Sequence, residues 1–135
     1  MLRSGRFDHV AIVVPSLGAA LPFWRDTLGF AVSPEHEVPG QGVRAVFIAS
    51  GATRIELIEP TAADSGVARF LAQRGGRATL HHLGFCTREL DAALAELAAG
   101  GYRLVDREPR QGAERMVAFL HPSAADGVMV ELLAE

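Results

Sequence analysis

The sequence predicts an α+β fold built from two βαβββ modules, and three observations carry that expectation. Residues 7–24 align without gaps on residues 80–97, at an offset of 73, placing His9 on His82 and Ala19-Ala20-Leu21 near Ala92-Ala93-Leu94. A second pair of segments repeats later: Arg54-Ile55-Glu56-Leu57-Ile58 resembles Met129-Val130-Glu131-Leu132-Leu133 at an offset of 75. Between these anchors lie β-branched and aromatic runs bounded by Gly and Pro, the pattern of short strands. A chain of 135 residues, 49% of them hydrophobic, has room for one domain with a substantial core, covering residues 1–135.

Each module reads as a strand, a helix and then two or three strands. In the first, at about residues 5–60, an apolar strand follows His9 and stops at Pro15. The helix after it carries Leu17, Ala20, Leu21, Trp24 and Leu28 on one stripe, but Pro22 lies within the stripe. An interior proline costs about 3 kcal/mol, so a kink or a start near Ala19 is expected. A helical linker fills about residues 61–77, with Asp64 or Ser65 as its cap and Val67, Phe70 and Leu71 facing inward. The second module, at about residues 78–135, has the cleaner helix: Leu90, Ala93, Leu94 and Leu97 form its apolar stripe, and Gly100-Gly101 ends it.

Composition removes several classes of function. The net charge of −3 gives no electrostatic footprint for a phosphate backbone, so no nucleic-acid partner is expected. All 13 basic residues are arginine, which excludes Schiff-base chemistry, a P-loop lysine and a lysine general base. Cys86 is the single cysteine, so a metal site must be made from histidines and carboxylates. The first residues carry arginines and no apolar core of a signal peptide, and the uncharged stretch at residues 10–24 is short and broken by Pro15, Gly18 and Pro22. A soluble, cytoplasmic protein without a membrane partner is the expectation.

The residues able to carry chemistry are His9, Glu56, His82 and Glu131. Two imidazoles and two carboxylates suit one divalent ion in five- or six-fold coordination, namely Co, Mn, Ni, Fe or Zn. Taken singly, each would read as an ordinary polar residue on a half-buried strand. Their recurrence, His early and Glu late in both modules, favours a metal site. Each Glu also sits among apolar residues, where a carboxylate needs a partner. His81, beside His82, is expected on the opposite strand face; His36 and His121 are assigned to loops or caps; and Cys86 is read as a small core residue without a catalytic role. Glu35, Glu37, Glu108 and Glu114 read as solvated loop residues, and Arg74, Arg77, Arg110 and Arg115 as surface cover.

At this point the chain resembles the vicinal oxygen chelate, or glyoxalase-like, superfamily, and within it the methylmalonyl-CoA epimerases. The resemblance is carried by the opening FDHVAIVVPSLGAALPFWRDTLGF, by Glu37-Val38-Pro39 followed by Gln41-Gly42-Val43, by Ile55-Glu56-Leu57-Ile58-Glu59-Pro60 and by Leu80-His81-His82. It continues through Val117-Ala118-Phe119-Leu120-His121-Pro122 and Gly127-Val128-Met129-Val130-Glu131-Leu132. It implies a cup-shaped, partly closed mixed sheet, a homodimer, and His9, Glu56, His82 and Glu131 as ligands of one divalent ion per chain. The implied reaction interconverts the 2R and 2S forms of methylmalonyl-CoA by α-proton abstraction through a metal-stabilised enolate, with an acyl-CoA as the small-molecule partner.

Glu131 and Glu56 are then the expected catalytic carboxylates, Glu131 as ligand and base and Glu56 mainly as ligand. The chain departs from some members, which carry a catalytic Glu on the strand after the Gln-Gly-Val turn; here that position is Ala45. Two alternatives share the scaffold: a glyoxalase I-like lyase, and a non-catalytic small-molecule binding module. The Gln41-Gly42-Val43 turn argues against the first, and the presence of all four ligand residues against the second.

Overall fold

The computed structural model describes residues 5–135. The elements follow in the order β1 (Phe7–Val13), α1 (Leu17–Leu21), β2 (His36–Val38), β3 (Val43–Ser50), β4 (Thr53–Pro60), α2 (Gly66–Gln73), β5 (Thr79–Thr87), α3 (Leu90–Ala99), β6 (Arg110–Gln111), β7 (Met116–Leu120) and β8 (Val130–Ala134). The order strand, helix, three strands thus occurs twice, with α2 in the expected linker stretch. The eight strands make a mixed sheet, because β5 and β8 are parallel while the hairpin pairs are antiparallel. Among the described residues, no helix is long and apolar enough to cross a membrane.

The chain forms two compact units, and the divisions fall inside β1 and inside β5. Residues 10–81 make one of them. Its strands run β2-β3-β4-β1, and antiparallel register sets Glu56 opposite Phe47, Ala45 opposite Ile58 and His36 opposite Ala45. Alternation then separates two faces. One carries Val46, Ile48 and Leu57, packed with Val14 and Leu17 under α1. The other carries His36, Ala45, Phe47 and Glu56.

Ser16 caps α1, its hydroxyl accepting from the Ala19 N–H at 3.2 Å, so the helix starts two residues before Ala19. Pro22 caps the C-terminal end of α1. It opens a wider, π-helical turn (Pro22–Thr27), in which the Leu28 N–H reaches back five residues to the Phe23 carbonyl at 2.9 Å. Proline cannot donate to the ladder and its ring crowds the carbonyl four residues back, so the widened turn relieves both constraints. Gly42, at φ +64°, takes the left-handed conformation that closes the Gln-Gly-Val turn, and its carbonyl accepts from Thr61 at 2.8 Å.

The second unit joins His82–Glu135 to the strand end leading up to His9. Its order is β1-β5-β8-β7-β6. The stripe Leu90, Ala93, Leu94 and Leu97 of α3 is buried against Ala118, Leu120 and Leu132. Burying a leucine of this kind contributes on the order of 2 kcal/mol. The opposite face of the same strands carries Cys86, Val117, Phe119 and Leu133 in a cluster of their own, next to Glu131. One face in each unit is therefore sealed by a helix, and the other holds every residue singled out for chemistry.

Candidate metal centre

Within the second unit, β1, β5 and β8 each deliver one group to a common point. The His9 Nε2, His82 Nε2 and Glu131 Oε2 atoms lie 3.1 Å from one another in all three pairings. His9 is 1% and Glu131 5% exposed. His9 Nδ1 faces Asp8 Oδ2 at 2.8 Å, so the Nδ1–H donates to that carboxylate and Nε2 is the ring atom directed at the other two.

Three electron-rich atoms held this closely repel one another unless a cation or a shared proton lies among them. A proton gives part of the answer. Burial works to raise the Glu131 carboxyl, but hydrogen bonds from His82 and His9, with the charges on those rings, outweigh it and bring the group down to about 2. Glu131 is thus a carboxylate at any physiological pH.

A metal ion also fits. Mutually adjacent octahedral donors spaced this way would sit about 2.2 Å from an ion, at the upper end of first-row metal bonds to imidazole and carboxylate. The two-His, one-carboxylate set matches the donor preferences of Fe, Co, Mn, Ni and Zn.

Two residues that build this point escaped the sequence reading. Gly84 lies opposite Glu131 in the β5–β8 register, and a Cβ on it would overlap three atoms of the His9 ring. Only glycine lets the imidazole lie over β5. Its signal was a glycine inside an apolar strand, two residues after a candidate ligand. Asp8 is the other; as the strand neighbour of His9 it reads as facing away, yet it is 4% exposed and bonded to the ring.

Phe119, directly across from Glu131 on β7, sets its ring edge-on to His82 with centroids 5.1 Å apart. Cys86 is wholly buried, with Arg115 Nη1 at 3.1 Å and Asp8 Oδ1 at 3.7 Å from its sulfur. Burial first, and then the Asp8 charge, push its thiol up, which suits a core residue and not a nucleophile.

Glu56, the fourth expected ligand, belongs to the other unit. It is 8% exposed on β4, in the register opposite Phe47. The remaining histidines divide. His81 packs edge-on to Phe70 at 4.7 Å, and His121 caps the turn at Pro122–Ala125 by accepting from the Ser123 N–H at 3.1 Å, as a cap should. His36 departs from the expectation of a loop or cap: it opens β2 and pairs across to Ala45, because the residues after Pro34 extend along the β3 edge. Glu37, read as a solvated loop residue, lies on that strand too and binds Arg44 at 3.0 Å.

Comparison with known proteins gives this arrangement a family. The sequence profile described as the Glyoxalase/Bleomycin resistance protein/Dioxygenase superfamily matches residues 8–119. The ethylmalonyl-CoA/methylmalonyl-CoA epimerase of Cereibacter sphaeroides is 38% identical over 95% of this chain and 96% of its own. The mitochondrial methylmalonyl-CoA epimerase of Mus musculus is 39% identical over 96% of this chain and 73% of its own. Among solved structures, a Streptomyces coelicolor methylmalonyl-CoA epimerase variant in complex with 2-nitronate-propionyl-CoA superposes with a TM-score of 0.89 at 36% identity, covering 98% of this chain and 95% of that one. The protein is thus a glyoxalase-superfamily domain, and it belongs within that superfamily to the methylmalonyl-CoA epimerase family.

Proposed function

We propose that this chain interconverts the 2R and 2S forms of methylmalonyl-CoA, using a divalent ion held by His9, His82 and Glu131 with Glu56 as the fourth donor. The observation that carries the reading is the triangle of donor atoms, 3.1 Å on each edge, buried at the junction of three strands. The naming of relatives as epimerases, and the acyl-CoA analogue bound to the Streptomyces structure, support the substrate class. Glu56 is supported by its place in the repeat and by its burial on β4.

A bound ion would supply Lewis acidity toward the two oxygens that flank the α-carbon, a contribution of several kcal/mol. The protein's own residues do the rest. Asp8 fixes the tautomer of His9. Glu131 is held ionised down to about pH 2 and is an anionic ligand; we assign it the part of ligand and base, with Glu56 mainly a ligand. Phe119, Val117 and Leu133 line the same face and keep water from the reacting carbon. From the family resemblance we also infer a cytoplasmic homodimer, with light scattering as the check on its mass.

Chiral chromatography of pure (2R)-methylmalonyl-CoA incubated with the cobalt-loaded protein tests the proposal. A 1:1 mixture of epimers is expected; retention of the single epimer, with turnover of a glutathione thiohemiacetal instead, would overturn it.

A further inference from the structure

Asp8 holds the His9 ring through one of its two carboxylate oxygens, and the other oxygen decides how firmly that grip is kept. Oδ2 takes the His9 Nδ1–H at 2.8 Å. Oδ1 faces the Cys86 sulfur at 3.7 Å on one side and the Arg6 guanidinium at 3.9 Å on the other. A carboxylate turns easily about its last bond, because that torsion has only broad minima. Which of the two neighbours of Oδ1 prevails therefore sets where Oδ2 points. The Arg6 side chain is 58% exposed, and an ion pair so open to water holds loosely.

The Cys86 side is built differently. Arg115, expected as surface cover, turns inward and sets Nη1 3.1 Å from the Cys86 sulfur, in a residue wholly buried. Its backbone is fixed by the tight turn between β6 and β7, where the Arg115 carbonyl accepts from the Gly112 N–H at 2.8 Å. A Cβ on Gly112 would stand 2.9 Å from that carbonyl oxygen and 2.8 Å from Val117, so the turn closes around a glycine. A guanidinium only donates and a carboxylate only accepts, whereas a thiol does both. Cys86 accepts from Arg115 and donates its S–H to Asp8, and burial, followed by the Asp8 charge, keeps the proton on the sulfur. Arg115, Cys86, Asp8 and His9 all belong to one compact unit.

We propose that Arg115 is a positioning residue of the metal centre: through the Cys86 thiol it keeps the Asp8 carboxylate turned inward, and Asp8 keeps the His9 ring aligned with His82 and Glu131. Without Arg115 the carboxylate swings toward Arg6 and the solvent, and the His9 ring loses the bond that orients it. The consequence falls on affinity for the ion and not on the chemical step. The inference rests on the metal centre proposed above and adds the group that holds one of its ligands in register.

Calorimetric titration of the metal-free protein with Co2+ tests this, in a double-mutant cycle of Arg115→Met and Asp8→Ala. Arg115→Met alone should weaken binding by about five- to tenfold, somewhat less than the loss usual for a group bonded directly to a ligand. Turnover at saturating Co2+ should stay within about threefold of wild type, since the ligands themselves are intact. In the Asp8→Ala background the same substitution should change affinity by less than about twofold, because the carboxylate through which it acts is gone. Arg115→Gln, gentler on folding, is carried through the same cycle as a second variant and should show the same pattern. Wild-type affinity in both single variants would overturn the assignment, and so would an equal loss with and without Asp8, the mark of a merely structural effect. A wild-type chain that takes up no Co2+ would instead bring down the metal centre, and the role of Arg115 with it.

Discussion

The two sheet faces that carry the candidate ligands are built on one plan and equipped differently. On residues 10–81, Glu56 pairs across to Phe47, whose N–H donates to the Ser33 hydroxyl at 2.9 Å, and Val32 bridges to Ile48. On the other unit, Glu131 pairs across to Phe119, whose N–H donates to Asp106 at 2.9 Å, and Leu104 bridges to Leu120. Each Phe has an imidazole set edge-on to it, His36 in one case and His82 in the other. An arginine stands over each ring, Arg54 at 4.0 Å and Arg110 at 5.5 Å.

The difference lies beside these frames. β5 has Gly84 where the repeat places Ala11 on β1, and over that glycine two imidazoles meet a carboxylate. A duplicated strand frame supplies positions; one missing methyl makes room for the His9 ring at the triangle.

The largest effect should come from removing an atom of the triangle. His82→Ala is expected to lose the bound ion and at least 10³-fold in turnover, with folding retained, because the interaction is with the transition state more than with the fold. Elemental analysis and kinetics check this, and full metal occupancy in the variant would exclude His82 as a ligand.

Gly84→Ala comes next. It gives β5 the residue that the repeat places on β1, and the added methyl should turn the His9 ring away and weaken metal binding by about 10- to 100-fold. Calorimetric metal titration reads this directly. Asp8→Asn should leave ligand geometry in place but weaken orientation of His9, at the lower end of that range.

Acid stability sharpens the comparison in another way. The folded-state pKa of Glu131 is held near 2, below its ordinary value of 4.5, so the charged form is favoured by folding. Its stabilisation is present above about pH 4.5 and is lost as pH falls toward about 2. In the metal-free protein, urea midpoints of wild type and Glu131→Gln should therefore converge as pH is lowered across that window. The smallest effect is expected for Cys86→Ala, which should keep most turnover, since its raised thiol takes no part in chemistry.

Much of this frame was legible in the sequence. The His/Glu repeat found both imidazoles and Glu131, and the stripe from Leu90 to Leu97 found α3, because periodicity and spacing survive in one dimension. The Phe47 and Phe119 counterparts did not stand out, since they lie outside the aligned segments at a different offset, 72, and their meaning lies in cross-strand pairing. Asp8 was missed because alternation sets it on the face away from His9, and Gly84 because a lone glycine in a strand does not say which side chain crosses it. His36 read as a loop residue because β2 is three residues long, too short for alternation to register.

The central claim is that a cation-dependent proton transfer occurs at C2 of methylmalonyl-CoA, and uptake of deuterium from D2O at that carbon tests it most directly. The account predicts incorporation into both epimers by the cobalt-loaded protein, its loss on chelation and its return when the ion is restored. Exchange that persists unchanged in the chelated, metal-free protein, or no exchange under any loading, would contradict it.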